Sequence, residues 1–254
     1  MKKHLLLFIA VGFELFLVKP CKSQNNFEEQ TGISLTGVYQ SSVAWGDYNN
    51  DGWLDVLISG MNGTLRVAKV FKNNGDNTFT EQTGILLTGV NNSSIAWADY
   101  NNDGWLDILL TGQSGTSTYV STIYKNNGNN TFTEQTSITL TGVGNSSVAW
   151  GDYNNDGWLD IVLTGYTGTA RVSKLYKNNG DNTFTEQNGI TLAGVQQGNV
   201  VWGDYNNDGY LDLLLSGYTG TSYVTKLYKN NGNNTFTEQT GISFTGVSSS
   251  SLAW

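Results

Sequence analysis

Tryptophan recurs at Trp45, Trp97, Trp150, Trp202 and Trp254, at spacings of 52, 53, 52 and 52 residues. A period of this size means one multi-strand unit per repeat, stacked on its neighbours, because a single unit cannot bury its own apolar face. The remaining reading follows from one copy. Ser42 to Tyr48 (SVAWGDY) alternates, with Val43 and Trp45 on one face and Ser42, Ala44 and Gly46 on the other, which predicts a strand. Leu54 to Ser59 (LDVLIS) is a nearly continuous apolar run, the pattern of a strand covered on both faces. Gly60 to Thr64 (GMNGT) predicts a turn, Leu65 to Lys72 a third strand, Asn74-Gly75 a hairpin, and Asn77 to Gln82 (NTFTEQ) a fourth strand.

Four strands per repeat predict a β-propeller blade. A β-solenoid is the alternative, but its coils are usually shorter and lack two hairpin turns each. No stretch shows helical periodicity. Complete blades fall at about 41–90, 93–143, 146–195 and 198–247 of a repeat region spanning 24–254. Phe27 to Val38 matches the last strand of a repeat and Ser248 to Trp254 the first strand of one. The expected fold is therefore all-β: four complete blades with partial blades at both ends, as an open or truncated ring. Open edges of that kind are a route to self-association.

Between the first two strands lies a loop that reads DYNNDGWLD three times, at 47–55, 99–107 and 152–160, and DYNNDGYLD at 204–212. In this D-x-N-x-D-G-x-x-D spacing, oxygens at positions 1, 3 and 5 can converge on one hard cation, and glycine at 6 permits the sharp turn. A carbonyl at position 7 and a carboxylate at 9 supply further oxygens. All-oxygen ligation selects calcium or magnesium over zinc or copper, and three carboxylates with a flexible carbonyl favour calcium. An EF-hand needs a bidentate Glu at position 12; here that position is Ile58, Leu110, Leu163 or Leu215, inside an apolar strand. The EF-hand and dockerin-like readings fail.

The run GDYNNDGWLDxxLTG instead resembles the FG-GAP and VCBS repeats of integrin α-subunit propellers and of many secreted bacterial proteins. The resemblance covers nearly the whole chain after residue 24. It implies about four Ca²⁺ ions, one per complete repeat. The ligands it implies are Asp47, Asn49, Asp51, the Trp53 carbonyl and Asp55 in the first repeat. In the second they are Asp99, Asn101, Asp103, Trp105 and Asp107, and in the third Asp152, Asn154, Asp156, Trp158 and Asp160. In the fourth they are Asp204, Asn206, Asp208, Tyr210 and Asp212. Asn at position 3, where the family often has Asp, removes a charge from each site.

Residues 1–23 differ from the rest: Lys2 and Lys3 precede the apolar Leu5 to Phe13, and Cys21 and Ser23 provide a cleavage pattern. This predicts a signal peptide and export, with no membrane insertion after cleavage; a short membrane anchor is the alternative. Removing it takes away Cys21 and His4, leaving no thiol nucleophile and no imidazole. Twelve of the 21 acidic residues lie in the four loops, and the whole chain stands at −8. Such a balance excludes nucleic acid and anionic membrane as partners.

The expected function is a secreted, non-catalytic binding or adhesion module for an extracellular protein or glycan. The alternatives are the propeller portion of a secreted carbohydrate-active enzyme, or a structural fragment completed by another chain. The tryptophans and the tyrosines at loop position 2 (Tyr48, Tyr100, Tyr153, Tyr205) are expected to pack between blades. Glu81, Glu134, Glu186 and Glu238 are expected on a solvated face. The turn tips Met61 to Thr64, Gln113 to Ser117, Tyr166 to Thr169 and Tyr218 to Thr221 vary most between repeats, so they are candidates for ligand contact.

Overall fold

The structure, a computed structural model, describes residues 29–253. The expected signal peptide, with His4 and Cys21, lies outside the described residues. Contacts divide the chain into two units, Met1–Thr31, of which only the end is described, and Gly32–Trp254, which holds all the repeats. Among the described residues there is no helix, and none long and apolar enough to cross a membrane.

Four separate four-stranded antiparallel meanders make up the second unit. The first is β1 (Tyr39–Gly46), β2 (Asp55–Asn62), β3 (Leu65–Asn73) and β4 (Phe79–Glu81); the second is β5 (Asn91–Ala98), β6 (Asp107–Gln113), β7 (Tyr119–Asn126) and β8 (Phe132–Glu134). The third is β9 (Gly144–Gly151), β10 (Asp160–Tyr166), β11 (Arg171–Asn178) and β12 (Phe184–Glu186); the fourth is β13 (Val200–Gly203), β14 (Asp212–Tyr218), β15 (Tyr223–Asn230) and β16 (Phe236–Glu238). The second strand of each sheet is buried on both faces, as Val56, Leu57 and Ile58 show, which is why its sequence does not alternate.

Two local expectations are corrected. β2 runs through Asn62, so the turn is tighter than Gly60 to Thr64. Gly60, at φ +148°, sits in the strand because a Cβ there would lie 2.7 Å from the Ser41 Cβ and 2.9 Å from the Tyr39 carbonyl. The fourth strand has three residues rather than six. Asn74 spends its amide on Thr78 and Thr80, and Asn77 adopts φ 66°, so the hairpin turn consumes the chain up to Thr78.

Blades meet through apolar cores that repeat three times. Tyr48 stacks on Trp97 of the next blade at 6.1 Å and 10°, and Leu57, Val70, Ile108 and Leu110 close the same core. Tyr100 with Trp150 and Tyr153 with Trp202 repeat the contact. The connection after each fourth strand dips into the next blade: Ile85 and Leu87 join the first of these cores, and the Tyr124 hydroxyl accepts the Thr88 N–H at 3.0 Å. The second strand of one blade is also tied to the inner strand of the next by hydroxyls, Ser59 to Ser93 and Thr111 to Ser146, each at 2.8 Å. At their starts the inner strands surround a polar cavity of about 360 Å³ lined by the equivalent residues Gln40, Asn92, Asn145, Gln197 and Ser249. All five have φ between 47° and 52°, and at Gln40, Asn92 and Asn145 this conformation coincides with an irregularity in the strand register.

The ring is open. Trp45 has no blade before it and is 58% exposed, so the expected interblade packing holds for Trp97, Trp150 and Trp202 but not for Trp45. Beneath it, Leu35 and Val38 of the leading segment cover only Val56, Ile58 and Phe71. At the other end, the Ser250 hydroxyl meets Ser216 at 3.0 Å and the Leu252 N–H donates to the Asn199 side-chain Oδ1 at 3.2 Å. The segment thus follows β13 as an inner strand would. It forms no ladder among the described residues, because no second strand stands beside it to pair with.

Candidate metal centre

The four nine-residue loops join the first and second strands of every blade, all at one end of the unit. Asn50 at φ 55° and Gly52 at φ +88° make the reversal; the same pair of conformations recurs in each loop. Asp47 accepts the Asp51 N–H at 3.1 Å through Oδ1 and the Gly52 N–H at 2.8 Å through Oδ2. The Asn49 Oδ1 also accepts the Asp51 N–H, at 3.0 Å, and the Asp51 Oδ1 accepts the Trp53 N–H at 3.1 Å. Asp55 is fully buried and accepts the Tyr48 N–H at 3.2 Å and the Asn73 N–H at 2.7 Å. The other loops repeat these bonds, through Asp99 and Asp107, Asp152 and Asp160, and Asp204 and Asp212.

Outside each loop a lysine from the third strand caps the position-5 carboxylate: Lys72 on Asp51, Lys125 on Asp103, Lys177 on Asp156 and Lys229 on Asp208, at 3.1–3.2 Å. Among the described residues no three acidic, histidine or cysteine side chains converge by themselves on one point. The carboxylates are turned to loop amides, and Asn49, Asn101, Asn154 and Asn206 are needed to complete any donor set. The donor chemistry nonetheless fits a hard divalent ion. Every candidate is an oxygen, and a carboxylate oxygen that accepts one N–H keeps a second lone pair, so the amide bonds shape the turn without exhausting it.

Electrostatics show what the loops lack. Burial pushes Asp107 up to about 7, with the charges of Asp103 and Asp99 adding to it, against the N–H bonds from Asn126 and Tyr100. Asp160 is raised to about 7 and Asp55 to about 6 for the same reasons. Asp212, on the last blade, is raised as well. Tyr48, Tyr100 and Tyr153 are pushed up to about 12, first by burial and then by these neighbouring carboxylates.

Several fixing residues escaped the sequence reading. Asn126 donates at 2.8 Å to the Tyr48 carbonyl of the preceding blade and at 3.1 Å to Leu106, bolting one loop to the next; Asn178 and Asn230 do the same. Asn50, at loop position 4, donates to the Gly104 carbonyl of the following loop at 2.9 Å. The recurring KNNG after each third strand carried the signal for the first set. Gly75 of that run is pressed on the position-7 ring: a Cβ there would lie 2.7 Å from Trp53.

The glutamates stand on the short outer strands. Glu81, Glu186 and Glu238 pair with Lys69, Lys174 and Lys226 at 2.6–2.9 Å, whereas Thr122 replaces the lysine opposite Glu134, which is exposed. The variable turn tips lie at the end of the unit opposite the loops. Two of them are joined by an aromatic contact, Tyr119 edge-on to Tyr166 at 6.0 Å, and in the fourth blade Tyr218 lies against its own partner Tyr223 at 5.2 Å.

No curated protein matches the chain. Among solved structures, a lectin of Agrocybe aegerita, described as recognising non-reducing terminal N-acetylglucosamine, aligns at 22% identity and a TM-score of 0.48. The alignment covers 76% of this chain and 49% of that one, so this chain spans about half of its length. The profile of the FG-GAP-like repeat matches residues 47–110, 109–163 and 158–215, three consecutive stretches that together take in all four metal-type loops. These matches run through more than half of the 254 residues, and the chain belongs to the FG-GAP-like repeat family.

Proposed function

We propose that this protein is a secreted, non-catalytic binding or adhesion module whose blades are rigidified by calcium and whose ligand is an extracellular glycan or protein. The observation that carries the calcium reading is the loop itself, four times over. A fully buried aspartate lies at its base, two more carboxylates and an amide oxygen lie along it, and no cation other than the outer lysine is there to balance them. In each loop Asp47, Asn49, Asp51, the Trp53 carbonyl and Asp55, or their equivalents, would hold the ion. An ion held there ties the first strand to the second and reaches, through the buried aspartate, the end of the third. Binding energy then becomes folding energy, about 2.7 kcal/mol per site at a calcium concentration 100 times Kd.

The test is calorimetric titration of the purified protein with calcium. About four ions per chain are expected, one for each loop. Absence of binding at millimolar calcium, the weak end for extracellular modules, overturns the reading.

Self-association through the open edges completes the proposal. The face that Trp45 and Val43 expose is the one that, in Trp97 and Ile95 of the second blade, is covered by a preceding Tyr48. The fourth blade offers the matching Tyr205 and Leu214, both only partly buried, whereas Tyr48 and Leu57 are almost fully so. The backbone groups are complementary too: Asn73 bonds Leu54 but has no preceding tyrosine carbonyl, and no following asparagine takes the Tyr205 carbonyl. A second copy supplies both halves in a head-to-tail contact. Light scattering is expected to show a mass that rises between about 1 and 100 µM, a range typical of micromolar association, and Trp45→Asp is expected to abolish the rise. A constant monomer mass refutes it.

A further inference from the structure

We propose that Arg171, held between Tyr166 and Tyr218 where the third blade meets the fourth, anchors a subsite for a carboxylate-bearing sugar on the face opposite the metal loops. This deepens the glycan-binding reading above and rests on it. The face is distinct in charge. The turn tips and inner-strand starts (39–42, 60–66, 91–94, 112–119, 144–147, 165–171, 196–199 and 217–223) contain both arginines of the chain, Arg66 and Arg171, and no Asp or Glu. The opposite end carries the twelve loop aspartates. Among the described residues, a saccharide anion meets uncompensated positive charge only at the tip face.

The two arginines are treated differently by the fold. Arg66 Nε donates to the Asn91 Oδ1 at 2.7 Å, and Asn91 is itself held by Gln40 at 2.8 Å. At the equivalent junction Gln196 stands where Asn91 does, with its backbone paired to Tyr218. Here the bond is missing: the Arg171 Nε and the Gln196 Oε1 are both buried without a partner, and Arg171 has no ion pair among the described residues. Two rings hold the guanidinium instead, with Cζ 5.7 Å from the Tyr166 centroid and 5.2 Å from that of Tyr218. Gly220, at φ +105°, packs against it so closely that a Cβ would lie 2.9 Å from Nη1. Rings can satisfy the faces of a guanidinium but not its N–H edge, which is the part that grips a carboxylate through two parallel bonds.

The surroundings suit a sugar. Tyr119, Tyr166, Arg171, Tyr218 and Tyr223 form one row across three blades, and Tyr223 is 58% exposed. Sugar rings present C–H faces to such rings and hydroxyls to amides and hydroxyls of the kind gathered at the adjoining axial cavity. From Arg171 a groove of about 270 Å³ descends along β11 past Lys174, whose ammonium is already neutralised by Glu186 at 2.8 Å. That is below the usual size of a whole ligand pocket, about 300–1,000 Å³, and fits one unit of a longer chain. These positions are also the ones that break the repeat: the facing pairs are Met61–Arg66, Gln113–Tyr119, Tyr166–Arg171 and Tyr218–Tyr223. A purely structural role would have let them stay alike, as the loops and second strands have.

The experiment compares β-1,4-linked tetraglucuronate with cellotetraose, which has a hydroxymethyl group in place of each carboxylate, by calorimetry at one calcium concentration. Saturable binding of tetraglucuronate, at least about tenfold tighter than cellotetraose, is expected, a bidentate charged contact being worth that much or more. Arg171→Gln should erase the difference, and Arg171→Lys, which keeps the charge but loses the fork, should restore only part of it. Equal affinity for both sugars, tetraglucuronate binding unchanged by Arg171→Gln, or tetraglutamate binding as tightly as tetraglucuronate overturns the proposal. If neither sugar binds, the proposal also fails; the broader reading then stands or falls separately, on a panel of neutral glycans and on the calcium titration.

Discussion

Asp107→Ala is expected to lower the melting temperature of the chelated protein by about 10 °C, whereas Asp107→Asn shifts it by no more than about 4 °C. Asp107 is fully buried, with Oδ1 on the Asn126 N–H at 2.7 Å and Oδ2 on the Tyr100 N–H at 3.3 Å. Alanine leaves two buried donors without an acceptor and opens a void between loop and strand, a cost of roughly 3–5 kcal/mol. It also releases Asn126, which holds the Tyr48 carbonyl of the blade before. For a domain of this size each kcal/mol moves the midpoint by about 2–4 °C. Asparagine keeps one acceptor and removes the buried charge, so its losses and gains nearly offset. In calcium both variants are expected to fall further below the unsubstituted protein, each having lost one calcium site, while the gap between them stays. Equal melting of the two variants in chelator refutes the account, since the hydrogen bonds would then contribute nothing beyond the charge.

The second large effect is on pH. With calcium chelated, the protein is expected to melt about 10 °C higher at pH 5 than at pH 8. Asp107 and Asp160 are raised to about 7 and Asp55 to about 6, against an unfolded value of about 3.9. Between these limits the folded state binds more protons than the unfolded one. Stability from these groups is therefore complete below about pH 4 and is lost as pH rises through 6 and 7. Three such shifts, discounted by about half for solvent screening, amount to a few kcal/mol and hence to the stated difference. Saturating calcium reverses the trend, because the ion competes with protons for the same carboxylates. A chelated protein whose midpoint rises steadily from pH 5 to pH 8 contradicts this. The lysine caps on Asp51, Asp103, Asp156 and Asp208 would in that case already balance the loops.

What the residues determine by themselves is whatever depends on near neighbours along the chain. The 52-residue spacing of the tryptophans, the unbroken apolar run at 54–59 and the NG and DG turns suffice for four-stranded meanders, because strand period and turn chemistry act over a few residues. The loop at 47–55 is legible for the same reason: nine consecutive residues carry its donors and its glycine hinge. Tertiary structure decides everything that depends on which blade stands next. Trp45 and Trp97 occupy identical local sequence, yet one is exposed and the other stacks on Tyr48, since only the second has a blade before it. Asp212 and Asp107 share one motif, and only the second is closed over on both sides by further blades. The bond from Asn126 to Tyr48 joins residues 78 apart, and Arg171 meets Tyr218 only because two turn tips come together at one junction. A repeat writes the same instruction in every blade; its position in the open ring sets which faces are covered, which charges are buried and which side chains are left to meet a ligand.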